Sequence, residues 1–280
     1  MRKKGKWLLL LLVLVCCGGF AVYQFLWNQT YDREPPKITM DQDELTLSVS
    51  DPESALLQGI TATDPQDGDV TDSLVVESVR GVVANQEFTV TYAAFDSAGN
   101  VAKAQRTVHY SDYVSPRFSL TGSLLFRSDP SLDIFSVLKA EDVVDGDLTD
   151  RIKATMTSGG QQISEPGEYT VEFRVTNSLG DTSYFEAPIR VVAAENNTAT
   201  VTLSEYLVYA SKGEQFQPKE YLDSMKAGKE SIALGRYNSD VFIDVDSNVD
   251  TDTPGTYWVD YTVTYGSYVG QSRLIVVVED

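Results

Sequence analysis

The sequence predicts an all-β protein, with two-layer β-sandwiches in tandem after a single N-terminal transmembrane helix. Three observations predict it. An apolar run of membrane-spanning length opens the chain, side-chain alternation with a period of two dominates from residue 35 onward, and a segment rich in Asp, Gly and Thr recurs further along.

The opening run, residues 7–27, reads WLLLLLVLVCCGGFAVYQFLW and is broken only by Gln24. As a helix it is long enough to cross about 30 Å of hydrocarbon. Arg2, Lys3, Lys4 and Lys6 precede it with no acid among them, which places that side in the cytoplasm. The same pattern would serve as a signal peptide. The length of the run and the lack of an A-x-A-like site favour an uncleaved anchor, and Val15 before Cys16 disfavours a lipid-modified cysteine. The expectation is a cell-membrane protein, single-pass, with a cytoplasmic N-terminus and extracellular modules. Cys16 and Cys17 both lie in this run, so the remainder has no disulfide and no thiol ligand or nucleophile.

Beyond the helix, short strands separated by Gly, Pro, Asn and Asp follow from the composition. Residues 64–72 read DPQDGDVTD and residues 142–150 read DVVDGDLTD, so Asp69 and Asp147 are 78 residues apart. Phe88, Val90 and Tyr92 alternate with Thr89 and Thr91, a pattern that returns at Tyr169, Val171, Phe173 and Val175 and again at Tyr257, Val259, Tyr261 and Val263. One apolar face per strand demands a covering sheet, which makes each unit a sandwich, and a spacing near 80 residues is one small sandwich domain per repeat. Pro-Gly at 166–167 and 254–255 launches the alternating strand, and the turns at 97–100 and 178–181 lead to closing strands at 102–110 and 183–192. Pro188 marks an edge or bulge in the second of these. Short helical turns are expected within 54–57, 132–138 and 218–225. The expected organisation is a tail at 1–6, the transmembrane helix at 7–27, a linker at 28–34, and domains at 35–111, 112–193 and 194–280, the last divergent. Short linkers near 112–116 and 194–198 predict an extended rod.

The Asp-x-x-Asp-Gly-Asp-Val/Leu-Thr-Asp run, the Tyr/Phe-Thr-Val-x-Tyr strand and the Asp-x-x-Gly-Asn turn resemble the bacterial immunoglobulin-like domains first described in a pesticidal crystal protein, the DUF5011 family. The resemblance is specific for 35–111, good for 112–193 and weaker for 194–280. It implies tandem modules in surface proteins of Gram-positive bacteria, acting as spacers or adhesive stalks without catalytic residues. With the N-terminal helix as anchor, the expected function is a membrane-tethered spacer or structural stalk. The alternative is an adhesin whose third domain binds a protein or glycan.

Asp64, Asp67, Asp69 and Asp72 crowd four carboxylates into nine residues, and Asp142, Asp145, Asp147 and Asp150 repeat the spacing. Such carboxylates suit Ca²⁺, a hard cation that takes six to eight oxygens, and Asp96 or Asn100 could add ligands if the loops share one end of the sandwich. Equally, Asp67-Gly68 and Asp145-Gly146 are turn dipeptides whose neighbouring Asp and Thr side chains bind backbone amides. Asp244, Asp246, Asp250 and Asp252 of the third unit are spaced differently and read as solvated loop.

Past the basic tail the chain carries 18 basic and 41 acidic residues, a surface that repels nucleic-acid phosphates. His109 is the one histidine, within a closing strand, and no nucleophile elbow, phosphate loop or His-x-x-x-His pair accompanies it. The chain is expected not to be an enzyme. Tyr206, Tyr209, Tyr221, Tyr237, Trp258, Tyr261, Tyr265 and Tyr268 gather in the third unit. Alternate ones fill a core in one reading, and in the other Tyr265 and Tyr268, at the last hairpin, form a ligand-binding surface.

Overall fold

The computed structural model describes residues 2–30, 32–82, 87–158, 163–193, 195, 198–235 and 238–280, with the backbone alone at 2–6, 8–10, 25–30 and 82. Tyr237, most of the 194–198 linker and the side chains of Arg2, Lys3, Lys4 and Lys6 lie outside the described residues. A helix, α1 (Arg2–Thr30), opens the chain. Among the described residues no helix is long and apolar enough to cross a membrane. This overturns the transmembrane helix expected at 7–27, and with it the membrane as partner, the single-pass cell-membrane placement and the membrane-tethered stalk.

The rest is all-β, in tandem immunoglobulin-like sandwiches. The first seven strands are β1 (Lys37–Met40), β2 (Glu44–Leu47), β3 (Ile60–Asp64), β4 (Gly68–Asp69), β5 (Val75–Val82), β6 (Glu87–Phe95) and β7 (Val101–Tyr110). They form two sheets in the orders β1-β3-β4 and β2-β7-β6-β5. The next seven are β8 (Arg117–Leu120), β9 (Leu125–Arg127), β10 (Leu138–Asp142), β11 (Gly146–Asp147), β12 (Lys153–Ser158), β13 (Gly167–Thr176) and β14 (Thr182–Val192). Their orders, β8-β10-β11 and β9-β14-β13-β12, repeat the first set strand for strand.

The last seven are β15 (Thr198–Leu203), β16 (Leu207–Ser211), β17 (Leu222–Ala227), β18 (Glu230–Ala233), β19 (Val241–Ser247), β20 (Gly255–Tyr265) and β21 (Tyr268–Glu279). The same pairings recur, so the divergent third unit keeps the topology. One addition, β15 lying parallel to β21 through Thr198↔Val269 to Thr200↔Gln271, joins its two sheets into one of seven strands. In every unit the second strand crosses to the opposite sheet and pairs in parallel with the last.

The expected helical turns appear as short 3₁₀ segments at Glu53–Leu57, Ile134–Val137 and Pro218–Tyr221, while the rest of 218–225 enters β17. Each is fastened to the alternating strand from one equivalent position. Tyr92 donates its hydroxyl to Leu56 O at 2.8 Å and Tyr261 to Pro218 O at 2.6 Å. Phe173 has no hydroxyl and instead meets Phe135 edge-on at 5.7 Å. Pro188 stays in an unbroken β13–β14 ladder, outside the part of β14 that pairs with β9, so its missing donor costs no ladder bond.

The chain divides into two compact units, Met1–Asp112 and Tyr113–Asp280. Strands β8–β14 and β15–β21 thus form one body rather than two links of a rod. The core around Phe118, Phe173 and Ile189 takes in Leu207 and Ile275 of the third sandwich, with Tyr209 and Trp258 packed against it. Between these sandwiches lies an ion-pair network centred on the buried pair Arg273 and Asp260, with Glu168 and Arg190 at its more exposed edge. Arg273 is fully buried and donates to Asp260 (Nε–Oδ1 2.6 Å, Nη2–Oδ2 2.8 Å), to Glu168 (Nη1–Oε2 3.0 Å) and to Pro188 O (3.1 Å). Arg190 adds a third bond to Asp260 at 2.6 Å, and the Arg273 guanidinium sits 4.9 Å from the Trp258 ring centre. Two cations face two anions, so the seam is neutral. Burial alone would lower the Arg273 pKa, but Asp260 and Glu168 outweigh it and raise the pKa, keeping the group charged.

Candidate functional site

Both Asp-Gly-Asp runs form tight β-hairpins, β3–β4 and β10–β11, with Gly68 and Gly146 at φ of 77° and 71°, the left-handed region glycine supplies. Asp64 Oδ1 accepts the Gln66 and Asp67 amides at 2.8 and 3.0 Å, and Asp142 Oδ1 accepts the Val144 and Asp145 amides at 3.1 and 2.6 Å. Asp69 and Asp147 accept the Thr71 and Thr149 amides, and in both residues the threonine hydroxyl and amide bonds hold the carboxyl below its ordinary pKa. Asp67 and Asp145 each bind the amide and hydroxyl of a serine on the loop after the alternating strand, Ser97 at 2.7 and 2.9 Å and Ser178 at 2.7 and 2.8 Å. Asp72 and Asp150 lie in exposed 3₁₀ turns. The eight run carboxylates therefore do not converge.

One of them, Asp64, instead meets two acids from outside the run. Asp32, Asp64 and Asp96, at 8%, 5% and 8% exposure, each place a carboxylate oxygen within 4.8 Å of the others'. Asp96 comes from the turn after β6, as the shared-end expectation required. Asp32 comes from the segment expected to be a linker, and no local pattern marks it because its role depends on that segment lying against the sandwich end. Asn100 donates from Nδ2 to Asp96 Oδ2 at 2.7 Å and, at longer range, to the carbonyls of Asp32 and Glu34 at 3.3 and 3.4 Å. Burial pushes the Asp96 pKa up, but the bonds from Asn100 and the neighbouring loop amides prevail and lower it. Asp64 Oδ2 is buried and accepts no hydrogen bond from a described residue. An all-oxygen, anionic group with an orphaned carboxylate oxygen fits a hard cation such as Ca²⁺, whereas a structural zinc site would use histidine or cysteine.

The second sandwich builds the same corner from other groups. Asn177 stands where Asp96 stands and Asp181 where Asn100 stands. Asn177 Nδ2 donates to Asp142 Oδ2 and to the Tyr113 hydroxyl oxygen, each at 2.8 Å. The Tyr113 hydroxyl in turn donates to Asp181 Oδ2 at 2.6 Å. Burial and the bond to Asp181 push the Tyr113 phenol up, so it remains protonated. The acid in register with Asp32 is Asp112, since Pro36 and Pro116 each directly precede the first strand. Asp112 is exposed and accepts from Ser48 Oγ and Val49 N at 2.7 and 2.8 Å.

Aromatics of the third sandwich mostly pack inward. Tyr261 is fully buried, Tyr221 stacks on Phe216 at 5.5 Å, and Tyr209 lies under Arg117 while donating to Phe118 O at 3.1 Å. Tyr265 and Tyr268 pair across the last hairpin and are half-buried. A Cβ at Gly228 would lie 2.9 Å from the Tyr268 hydroxyl, so the ring rests on the β17–β18 turn. Tyr265 borders an open cleft with Glu230, Ser231, Ile232, Ala233, Asn238 and Ser239. A hydrogen bond to Glu230 raises its phenol pKa.

The one histidine, His109, lies within the β7 ladder opposite Glu87, and the buried carboxylates among the described residues are held in turns, in the seam, by Tyr113 or in the acidic corner.

No family model matches the chain. It is 28% identical over 233 residues to the pesticidal crystal protein Cry22Aa of Bacillus thuringiensis, covering 78% of this chain and 30% of that protein. It is 35% identical over 92 residues to an uncharacterised 81.3 kDa protein of Acholeplasma phage L2, covering 33% of this chain and 11% of that one. The chain thus spans under a third of the length of either relative. Among solved structures, Drosophila N-cadherin EC1-3 aligns with 86% of this chain and 98% of its own at 10% identity and a TM-score of 0.31. A Clostridium perfringens ZmpB structure, CBM51-2 in complex with GlcNAc and INT domains, aligns with 87% and 42% at 18% identity and 0.23. The class is a repeated immunoglobulin-like β-sandwich, distantly related in sequence to a pesticidal crystal protein.

Proposed function

We propose that the chain is a non-catalytic binding protein, an adhesive module of DUF5011 type whose third domain, 194–280, recognises a protein or glycan. Domains at 35–111 and 112–193 precede it, a division supported by the seven-strand topology recurring in each. The DUF5011 assignment is supported by the recurring acidic hairpin and by the similarity to Cry22Aa. The observation that carries the binding role is the open cleft beside Tyr265, where an aromatic ring borders the carboxylate of Glu230, the amide of Asn238 and the hydroxyls of Ser231 and Ser239. An aromatic face with nearby donors and acceptors can stack on a sugar ring or seat a protein side chain. The test is a screen of the whole chain against immobilised oligosaccharides and cell-surface protein extracts, with Tyr265→Ala and Tyr268→Ala beside it. The expected result is a ligand whose affinity falls at least tenfold in Tyr265→Ala, about 1.4 kcal/mol, with the melting temperature unchanged. Ligands bound equally by both variants and the parent would overturn the assignment to this cleft.

A further inference from the structure

The first and second sandwiches share a fold, a hairpin and an acidic run, yet differ at one corner. In the second, each polar group at that corner has a partner of opposite character. Tyr113 supplies an O–H to Asp181, and Asn177 supplies N–H groups to Asp142 and Tyr113. In the first, Asn177 is replaced by a carboxylate, Asp96, and a third carboxylate, Asp32, is brought in from the chain ahead of β1. Three buried acids within 4.8 Å repel one another, and burying an ionised group without a compensating partner is costly. Asn100 relieves Asp96, and Asp32 Oδ1 accepts the Glu34 amide at 3.0 Å. Asp64 is more than nine-tenths buried, and with Oδ1 committed to its own turn, its Oδ2 has no donor among the described residues.

We propose that Asp32, Asp64 and Asp96 bind one divalent cation of the Ca²⁺ class, which ties the segment ahead of β1 to the first sandwich, while Tyr113, Asn177 and Asp181 hold the equivalent place in the second sandwich without an ion. All three ligands are carboxylates, and the main-chain carbonyls of Asp32 and Glu34 lie 3.3 and 3.4 Å from Asn100 Nδ2, the group that also binds Asp96. Ca²⁺ accepts such a mixed oxygen set with irregular geometry, whereas Mg²⁺ demands near-octahedral order. The number of ions per chain is one, although the acidic run occurs twice, because the run itself caps turns. Cation binding here is independent of the third-domain cleft.

The experiment is calorimetric titration of chelator-treated whole chain with CaCl₂, paired with trypsin digestion followed at the Arg33–Glu34 bond. The expected result is one Ca²⁺ per chain and slower cleavage after Arg33 when Ca²⁺ is present. Asp64→Asn and Asp32→Asn should each weaken binding at least about tenfold, and Asp147→Asn should leave it unchanged. Asp32→Asn lies outside the strands, so it keeps the test decisive if Asp64→Asn fails to fold. The proposal is overturned by an absence of binding heat, by two ions per chain, by binding indifferent to Asp32→Asn, or by cleavage after Arg33 that Ca²⁺ does not slow.

Discussion

The corner closed by Asp32, Asp64 and Asp96 and the corner closed by Tyr113, Asn177, Asp142 and Asp181 are two solutions to one problem. Each must hold the segment entering a sandwich against two loops at its end, at a place too buried for water to satisfy the polar groups freely. The second solution is self-contained, a donor–acceptor chain that runs from an amide through a phenol to a carboxylate. The first collects acceptors and leaves one of them without a donor among the described residues. The difference shows that a shared fold and a shared motif do not imply a shared site. Side-chain identities at two loop positions decide whether the corner is complete by itself.

Exchanging those identities should exchange the behaviours. The largest effect is expected from Asn177→Asp, which removes the amide donors and sets a new carboxylate against Asp142 and close to the buried Asp181. A broken buried polar network of this kind costs about 3–5 kcal/mol, so the unit containing Tyr113 should melt well below the parent in urea or heat. The reverse change, Asp96→Asn, should make the first sandwich less dependent on cations, with its chelator-treated melt no lower than the parent's. A parent-like melt for Asn177→Asp would break the comparison.

Next in size is Tyr113→Phe. It keeps the ring but removes the hydroxyl, leaving Asp181, 1% exposed, without its phenolic donor. The expected loss is about 1–3 kcal/mol, read as a lower denaturant midpoint with an unchanged slope. The smallest effect concerns Asp145, half-buried, whose pKa burial raises but whose bonds to Ser178 and Arg151 bring it below the usual carboxylate value. Because the folded pKa is depressed, this contribution is present above the unfolded value, 3.8, and is lost as pH falls through the folded one. Melting temperatures measured from pH 5 downward should therefore fall less steeply in Asp145→Asn than in the parent, by a fraction of the Tyr113 effect.

Much of the fold was legible because alternation and turn chemistry are local. Phe88, Val90 and Tyr92 had to share a face, and Gly68 and Gly146 had to turn. The sites were less legible because they join residues far apart in the chain. The acidic runs were visible, but their spacing could not show that Asp69 and Asp147 would be spent on Thr71 and Thr149. Nothing around Asp32 distinguishes it from a linker residue, since its neighbours in space are Asp64 and Asp96. Nothing in the strand pattern singles out Arg273 and Asp260, and it is Glu168 and Arg190 from another sandwich that make them a seam. The apolar opening run suggested a membrane span that the described helix does not provide.

The crossing of the second strand in each sandwich bears on how the protein would carry load. Because β2 and β7 run parallel, a pull on the two ends of that sandwich slides one strand along the other and strains their hydrogen bonds together rather than one after another. The paired lengths differ, with four residue pairs in the first sandwich, three in the second and five in the third. By this measure the second has the shortest grip. It is also the sandwich whose flank Arg273 fastens to its neighbour, so tension reaching β9 and β14 is shared across the seam to β20 and β21.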